Sequence, residues 1–364
     1  MKIVYDARFT RFDFPDGLTR YGASIMAELA KIADVTMLIN DERQLDLLPD
    51  RPWVKVNAPT SISELWVARK INELTPDVVV SPLQTMGSWG RDYALILTCQ
   101  DLTYYQFPQA PGFLPKPVQW LWFLYHQMYW PQRILLNRPE IVATISRTTE
   151  RLMRKHRFTK KPIRLVSNAP QPAKPRDSDA GHDMSLVYMG SFMPYKNAET
   201  IMRAASLLPE FTIHLLSGIR PEREAELRAL APEATNVVFH RGVTDQEYDT
   251  LLRRATALVT LSKSEGFGLP LIEAMQVGTP VIASDIEIFR EVGADAVRFV
   301  PAEDHEAFAR AAKELKNDGE WLASSQRGLV RAKAYSWRDS AAALRSAAGE
   351  ALALRSQRRA AKRR

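Results

Sequence analysis

Short runs rich in Val, Ile and Leu, three to five residues long, recur along this chain in two series, and they restrict its fold more than any other feature. The first series falls at 3–5, 35–39, 78–80, 94–98, 141–145 and 163–166, and the second at 186–189, 212–216, 237–240, 257–261, 281–283 and 297–300. A strand with one face in water alternates apolar and polar residues. Near-continuous apolar runs instead predict strands of parallel sheets covered on both faces. Segments of helical periodicity separate most neighbouring runs, so the chain reads as α/β, with two doubly wound, Rossmann-like domains facing each other across a cleft. At 364 residues it is long enough for two cores. The proline-rich stretch 168–175 and the polar residues after it, up to Asp183, lack periodicity and read as a linker. The predicted division is 1–168, a linker over 169–184, a second domain over 185–336, and 337–364 as a final helix with a basic tail. That helix opens at Trp337 and is expected to run through Leu354.

One cysteine, Cys99, excludes a disulfide framework and a cysteine-based zinc site, and it fits a reducing, cytoplasmic compartment. The amino terminus enters its first strand after a single Lys, so no signal peptide is expected. No apolar run approaches the roughly 20 residues of a membrane span, which predicts a soluble or peripheral protein. The net charge of +7 is uneven: 355–364 hold six basic residues and no acid, and Arg154, Lys155, Arg157, Lys160 and Lys161 cluster in a second run. Such clusters suit an anionic membrane surface or nucleic acid, or are simply a solvated helix face and a disordered tail. No nucleic-acid motif accompanies them.

The chemistry concentrates at 264–281, Ser-Glu-Gly-Phe-Gly-Leu-Pro-Leu-Ile-Glu-Ala-Met-Gln-Val-Gly-Thr-Pro-Val. A buried strand leads into a turn containing Gly266 and Gly268, then a short helix, a stop at Gly278–Pro280 and another strand. Ligands of open α/β sheets sit at such strand ends. Pro270 fits the first helical position, and the N–H groups of Phe267, Gly268 and Leu269 would face an anion such as phosphate. Glu273, one turn into the helix, could accept two hydrogen bonds from a vicinal diol such as that of ribose. Glu265 could accept from another hydroxyl. The plainer alternatives are a helix-dipole partner and a solvated loop residue.

A second loop, Gly190-Ser191-Phe-Met-Pro-Tyr-Lys196-Asn197, follows the first strand of the second domain. Asn197 suits an N-cap, and Lys196 beside it can place its ammonium on a diphosphate. In the first domain Gly17, in the loop 13–21, would let backbone approach a ligand or would merely make a turn. Gln100 and Asp101 follow another strand and would face the cleft. The aromatic stretch 118–130, flanked by Arg133 and Arg138, is either core packing or a surface for membrane or a lipid acceptor.

With these residues in view, the chain resembles the retaining GT-B glycosyltransferases of family 4 over nearly its whole length. Glu265 to Glu273 is similar to the family's E-x7-E signature, 187–197 to its phosphate loop, and 285–292 and 335–337 to further family segments. The resemblance implies Glu273 on the nucleotide ribose and Lys196 on the diphosphate. It implies Glu265 and the Phe267–Leu269 backbone on the donor sugar and leaving phosphate. The turn 241–243, with Val243, would lie against the base, and the last helix would cross back onto the first domain. Two departures stand out. Ser191 occupies the family's Arg position, so Arg20 or Lys263 would supply that charge, and Gln100-Asp101 replaces His-Asp. The implied activity moves a sugar from a nucleotide diphosphate sugar to a glycan or glycolipid hydroxyl with retention, the nucleotide sugar being a co-substrate, with no metal and no other cofactor. Glu265, Lys196, Asp101 and Gln100 would carry it, at the inner face of the plasma membrane. GDP-mannose is the favoured donor because many bacterial members use it, with UDP-glucose or UDP-N-acetylglucosamine as alternatives. The two departures leave open a nucleotide-sugar-binding protein without transfer.

Overall fold

The computed structural model describes residues 1–13, 17–110, 115–177 and 181–363. The middle of the loop before Gly17, residues 178–180 of the proline-rich stretch and Arg364 of the basic tail thus lie outside the described residues. By its internal contacts the chain divides into two compact units, Met1–Ala169 with Tyr335–Arg364, and Pro170–Ala334.

The first unit is built on seven strands: β1 (Lys2–Asp6), β2 (Asp34–Ile39), β3 (Trp53–Lys55), β4 (Val78–Ser81), β5 (Ala94–Cys99), β6 (Ile141–Thr144) and β7 (Ile163–Leu165). They pair in parallel in the order β3-β2-β1-β4-β5-β6-β7. All six residues of β5 are buried, which is why its sequence is unbroken Ala-Leu-Ile-Leu-Thr-Cys. β3 is the strand that apolar runs did not predict. It is a three-residue edge strand with Trp53 and Lys55 exposed, so it has no second buried face to demand such a run. The helix Gly17–Ile32 turns Tyr21, Ile25 and Leu29 inward at four-residue spacing and packs on the last helix, Trp337–Arg363, where Tyr21 and Trp337 meet edge-on at 5.9 Å.

That last helix does not stop near Leu354. It continues through the basic tail because the tail has partners: Arg355 donates to the Arg91 carbonyl (2.7 Å), and Arg359 to the Asp92 carbonyl (2.8 Å) and carboxylate (3.1 Å). Behind them Glu140, 2% exposed, takes the Arg91 guanidinium on both oxygens (2.8 and 2.9 Å) and the Leu95 N–H (2.9 Å), with Arg355 and Arg358 at 3.8 and 3.6 Å.

The aromatic stretch is two helices, Lys116–Gln127 and Trp130–Leu136. The break is at Met128, whose backbone is extended, and Pro131, second in the latter helix, has no N–H to carry the first helix's bonding onward. The core-packing alternative does not hold for this stretch. Only His126 of the first helix is buried, whereas Val118, Trp120, Leu121, Phe123, Met128, Trp130 and Ile134 are exposed, Trp120 to 62%. On the inner side His126 packs tilted against Trp122 and meets Tyr104, Tyr105 and Tyr125, and burial lowers its pKa.

The second unit carries β8 (Asp183–Tyr188), β9 (Thr212–Leu215), β10 (Val237–Phe239), β11 (Ala255–Thr260), β12 (Val281–Ser284) and β13 (Val297–Val300), parallel in the order β10-β9-β8-β11-β12-β13. In each sheet the strand order reverses at the first strand of its unit. Connections leave opposite faces on either side of that point, opening a crevice between β8 and β11 at their carboxyl ends. The stretch read as a linker is partly bound to this unit: the Arg176 N–H donates to the Val277 carbonyl (3.0 Å), its guanidinium stacks over Trp321 (4.6 Å), and Arg253 holds the Lys174 carbonyl (2.8 Å).

Candidate functional site

The loops after β8 and β11 are stitched together at the sheet's switch point. Asn197 donates to the carbonyls of Leu261 (2.9 Å) and Ala302 (2.6 Å), and the Lys263 N–H donates to the Tyr195 carbonyl (2.7 Å). Asn197 therefore does not cap the helix Ala198–Ala204 with its side chain. Its backbone is left-handed (φ 56°), a conformation asparagine tolerates, rather than the extended one that aims a side chain at the first-turn amides. Across this seam the Lys196 ammonium lies 2.5 Å from Glu265, to which the buried Ser262 hydroxyl also donates (2.9 Å). Two of the residues singled out from sequence, 69 positions apart, are thus in direct contact.

The glycines of both loops are dictated by neighbours. A Cβ on Gly190 would come 3.0 Å from the Tyr188 hydroxyl, which folds back to donate to the Ser191 carbonyl (2.7 Å). The Gly190 N–H is taken by Ser217 (3.1 Å). Burial pushes the Tyr188 phenol well up, so it remains a donor. Ser191 is exposed and holds the loop through its carbonyl. Gly268 is left-handed (φ 92°), and a Cβ there would sit 2.7 Å from the Phe289 ring. Gly268 is the N-cap of the helix Leu269–Val277, so Pro270 is its second residue rather than its first. A cap with no side chain leaves the first-turn amides, beside Gly266 and the buried Phe267, without a side-chain cap.

Glu273 stands one turn further along, and the hydroxyl of Tyr248 donates to its Oε2 (3.0 Å). Tyr248 belongs to the helix Asp245–Arg254, fixed at its start by a reciprocal cap between Thr244 and Glu247. Immediately before it run Arg241, Gly242 and Val243. Arg241 is left-handed and pairs with Glu224 (2.9 Å), which holds that carboxylate below its usual range, and the Gly242 N–H donates to the Leu216 carbonyl (3.0 Å). Beneath the turn His214 and His240 share a hydrogen bond (3.0 Å), and burial followed by the charge of its partner lowers the His214 pKa. Lys263, named from sequence as a substitute for the missing arginine, is paired with Glu303, whose pKa it lowers.

The remaining sequence-derived residues belong to the first unit. Gly17 opens the helix Gly17–Ile32 and Arg20 sits in its first turn. Gln100 donates to the Pro82 carbonyl (2.9 Å), and Asp101 accepts from the Thr103 N–H (2.9 Å). Next to them burial and Asp101 push the Cys99 thiol up, so it stays protonated. Sequence reasoning passed over Tyr248, Ser262 and Ser217. Each places a hydroxyl on a site residue from a distant or buried position, and no local motif marks them.

The family described as glycosyl transferases group 1 matches residues 173–330, the span that contains Lys196, Glu265 and Glu273. The matched span lies within the second unit and is less than half of the chain, so it shows that this unit is similar to the glycosyl transferases of group 1. Similar proteins include O-antigen chain mannosyltransferase B of Escherichia coli, 33% identical over 42% of this chain and 42% of that protein. Another is O-antigen chain mannosyltransferase RfbU of Salmonella typhimurium, 24% identical over 82% of this chain and 87% of that one. The chain thus spans less than half of the first and most of the second. Among solved structures, sucrose-phosphate synthase of Thermosynechococcus elongatus shares the GT-B fold at a TM-score of 0.73, with 19% identity over 97% of this chain and 99% of that one.

Proposed function

We propose that this chain is a retaining transferase that moves mannose from GDP-mannose to a hydroxyl of a lipid-linked or polysaccharide acceptor. The observation that carries the reading is the Lys196–Glu265 contact at the β8/β11 switch point, beside a helix whose first-turn amides have no side-chain cap. As the bond from the sugar C1 to the diphosphate oxygen breaks, negative charge grows on the diphosphate. Lys196 and those amides stabilise it electrostatically, which leaves no role that demands a metal. The acceptor oxygen forms its bond to C1 from the same face, and its proton passes to the departing phosphate oxygen. Glu265 fixes the donor sugar and Glu273 the ribose. Gln100 and Asp101 are assigned to the acceptor hydroxyl. The two relatives described as O-antigen mannosyltransferases support mannose. Incubation with GDP-mannose, UDP-glucose and UDP-N-acetylglucosamine tests this. Transfer from GDP-mannose to an undecaprenyl-linked or polysaccharide acceptor, with the α-configuration kept by NMR, is expected. Inversion, or nucleotide binding with no turnover on any acceptor, would contradict it.

The acceptor is reached at a membrane surface. No helix among the described residues is long and apolar enough to cross a bilayer, but the helices Lys116–Gln127 and Trp130–Leu136 expose an apolar face. From 102 to 139 the sequence has no Asp or Glu, only the cations Lys116, Arg133 and Arg138. Arg133 donates to the His156 carbonyl (2.9 Å) and Asn137 accepts from the Lys160 N–H (2.8 Å), which brings exposed Arg157 and Lys160 beside the apolar helices. Exposed Trp and Phe with cations and no carboxylate fit the interface of an anionic bilayer. Co-sedimentation with phosphatidylglycerol vesicles is expected, falling about tenfold for Trp120→Ser with Phe123→Ser. Equal binding of both proteins, or none by either, would contradict it.

A further inference from the structure

We propose that Tyr248 is a positioning residue for the donor nucleotide, acting through Glu273. This rests on the assignment of Glu273 to the ribose. A glutamate side chain has three rotatable bonds, and a carboxylate that must accept from two ribose hydroxyls has to be held in one orientation before the ligand arrives. Glu273 is not fixed by being packed away, since it remains partly exposed. The Tyr248 hydroxyl helps to orient it, donating to Oε2 at 3.0 Å from a ring that is itself 6% exposed and therefore rigid.

The origin of that hydroxyl adds a second role. Tyr248 lies in the helix that begins directly after the turn 241–243, and the Thr244–Glu247 cap fixes where this helix starts. One rigid element therefore carries both the turn assigned to the base and the donor that orients the ribose carboxylate. The two carboxylates of the motif are held by different hydroxyls, Glu265 by Ser262 (2.9 Å) and Glu273 by Tyr248. The two supports should have separable consequences: Tyr248 acts on recognition of the ribose, Ser262 on the Lys196–Glu265 pair and the diphosphate.

Calorimetric titration of the full chain with GDP and with 2′,3′-dideoxy-GDP tests this, with UDP and its dideoxy form run in parallel. The wild type is expected to bind the dideoxynucleotide tens of times more weakly than GDP. Tyr248→Phe removes one oxygen atom, and it is expected to weaken GDP on the order of tenfold, as for a lost hydrogen bond to a charged group. It should leave dideoxy-GDP unchanged, so that the penalty for losing the ribose hydroxyls shrinks. Ser262→Ala should weaken both ligands by the same factor. Equal weakening of both ligands by Tyr248→Phe would show a merely structural role and overturn the inference, as would no weakening at all, while leaving the ribose assignment of Glu273 intact. A wild type indifferent to the ribose hydroxyls would overturn that assignment, and the inference with it.

Discussion

Lys196→Ala is expected to lower kcat/KM for sugar transfer about a thousandfold, on the order of 4 kcal/mol of transition-state stabilisation. The ammonium is the cation that the loop after β8 presents at the switch point, and Ser191 adds no second charge to that loop. Its present partner is Glu265, at 2.5 Å, so the lysine already lies beside the carboxylate assigned to the donor sugar. The loss should appear mainly in kcat, because the charge being stabilised develops as the sugar leaves. Stability should hardly move. Both side chains keep some exposure, 18% and 15%, and a pair of that kind contributes no more than about 1 kcal/mol, a few degrees in Tm. Steady-state kinetics with a thermal melt separate the two effects. A large fall in Tm with intact kcat would make the pair structural instead.

Glu140→Ala is expected to destabilise the first unit by roughly 3–5 kcal/mol. It strips the bidentate partner from Arg91 and leaves the buried Leu95 N–H without its acceptor, while Arg355 and Arg358 lose the charge they face. Each 1 kcal/mol shifts Tm by about 2–4 °C in a unit of this size, so a fall of about 6–20 °C should be seen by differential scanning calorimetry. Hydrogen exchange should report the same event locally. Amides of 355–363 are expected to lose protection first, because the end of the last helix is held by this cluster. Unchanged Tm and unchanged protection would mean that helix propensity alone carries the helix to Arg363.

The strands buried on both faces were legible because such strands write an apolar run into the sequence, and β5 with every residue buried is the clearest case. β3 escaped because an edge strand of three residues writes no such run. The loop residues Lys196 and Glu265 could be named from local spacing, since both follow strand ends in one sheet. Their direct contact needed the strand order, in which β8 and β11 are neighbours despite lying far apart in sequence. Asn197 was recognised as a special position but for the wrong bond, because a left-handed backbone angle cannot be read from an Asn that also favours caps. The aromatic stretch could not be assigned from composition, since exposed and buried aromatic helices look alike until neighbours are known. Tyr248 reaches Glu273 across a tertiary contact, and Ser262 is marked only by its burial three residues before Glu265.

The account stands on a nucleotide-sugar site built from Lys196, Glu265 and Glu273. Its most direct test is transfer from GDP-mannose, UDP-glucose and UDP-N-acetylglucosamine by the wild type and by Glu273→Ala. The account predicts transfer from one of these donors by the wild type and a rise of at least about tenfold in its KM on losing Glu273. Transfer from every donor unchanged in Glu273→Ala would contradict it.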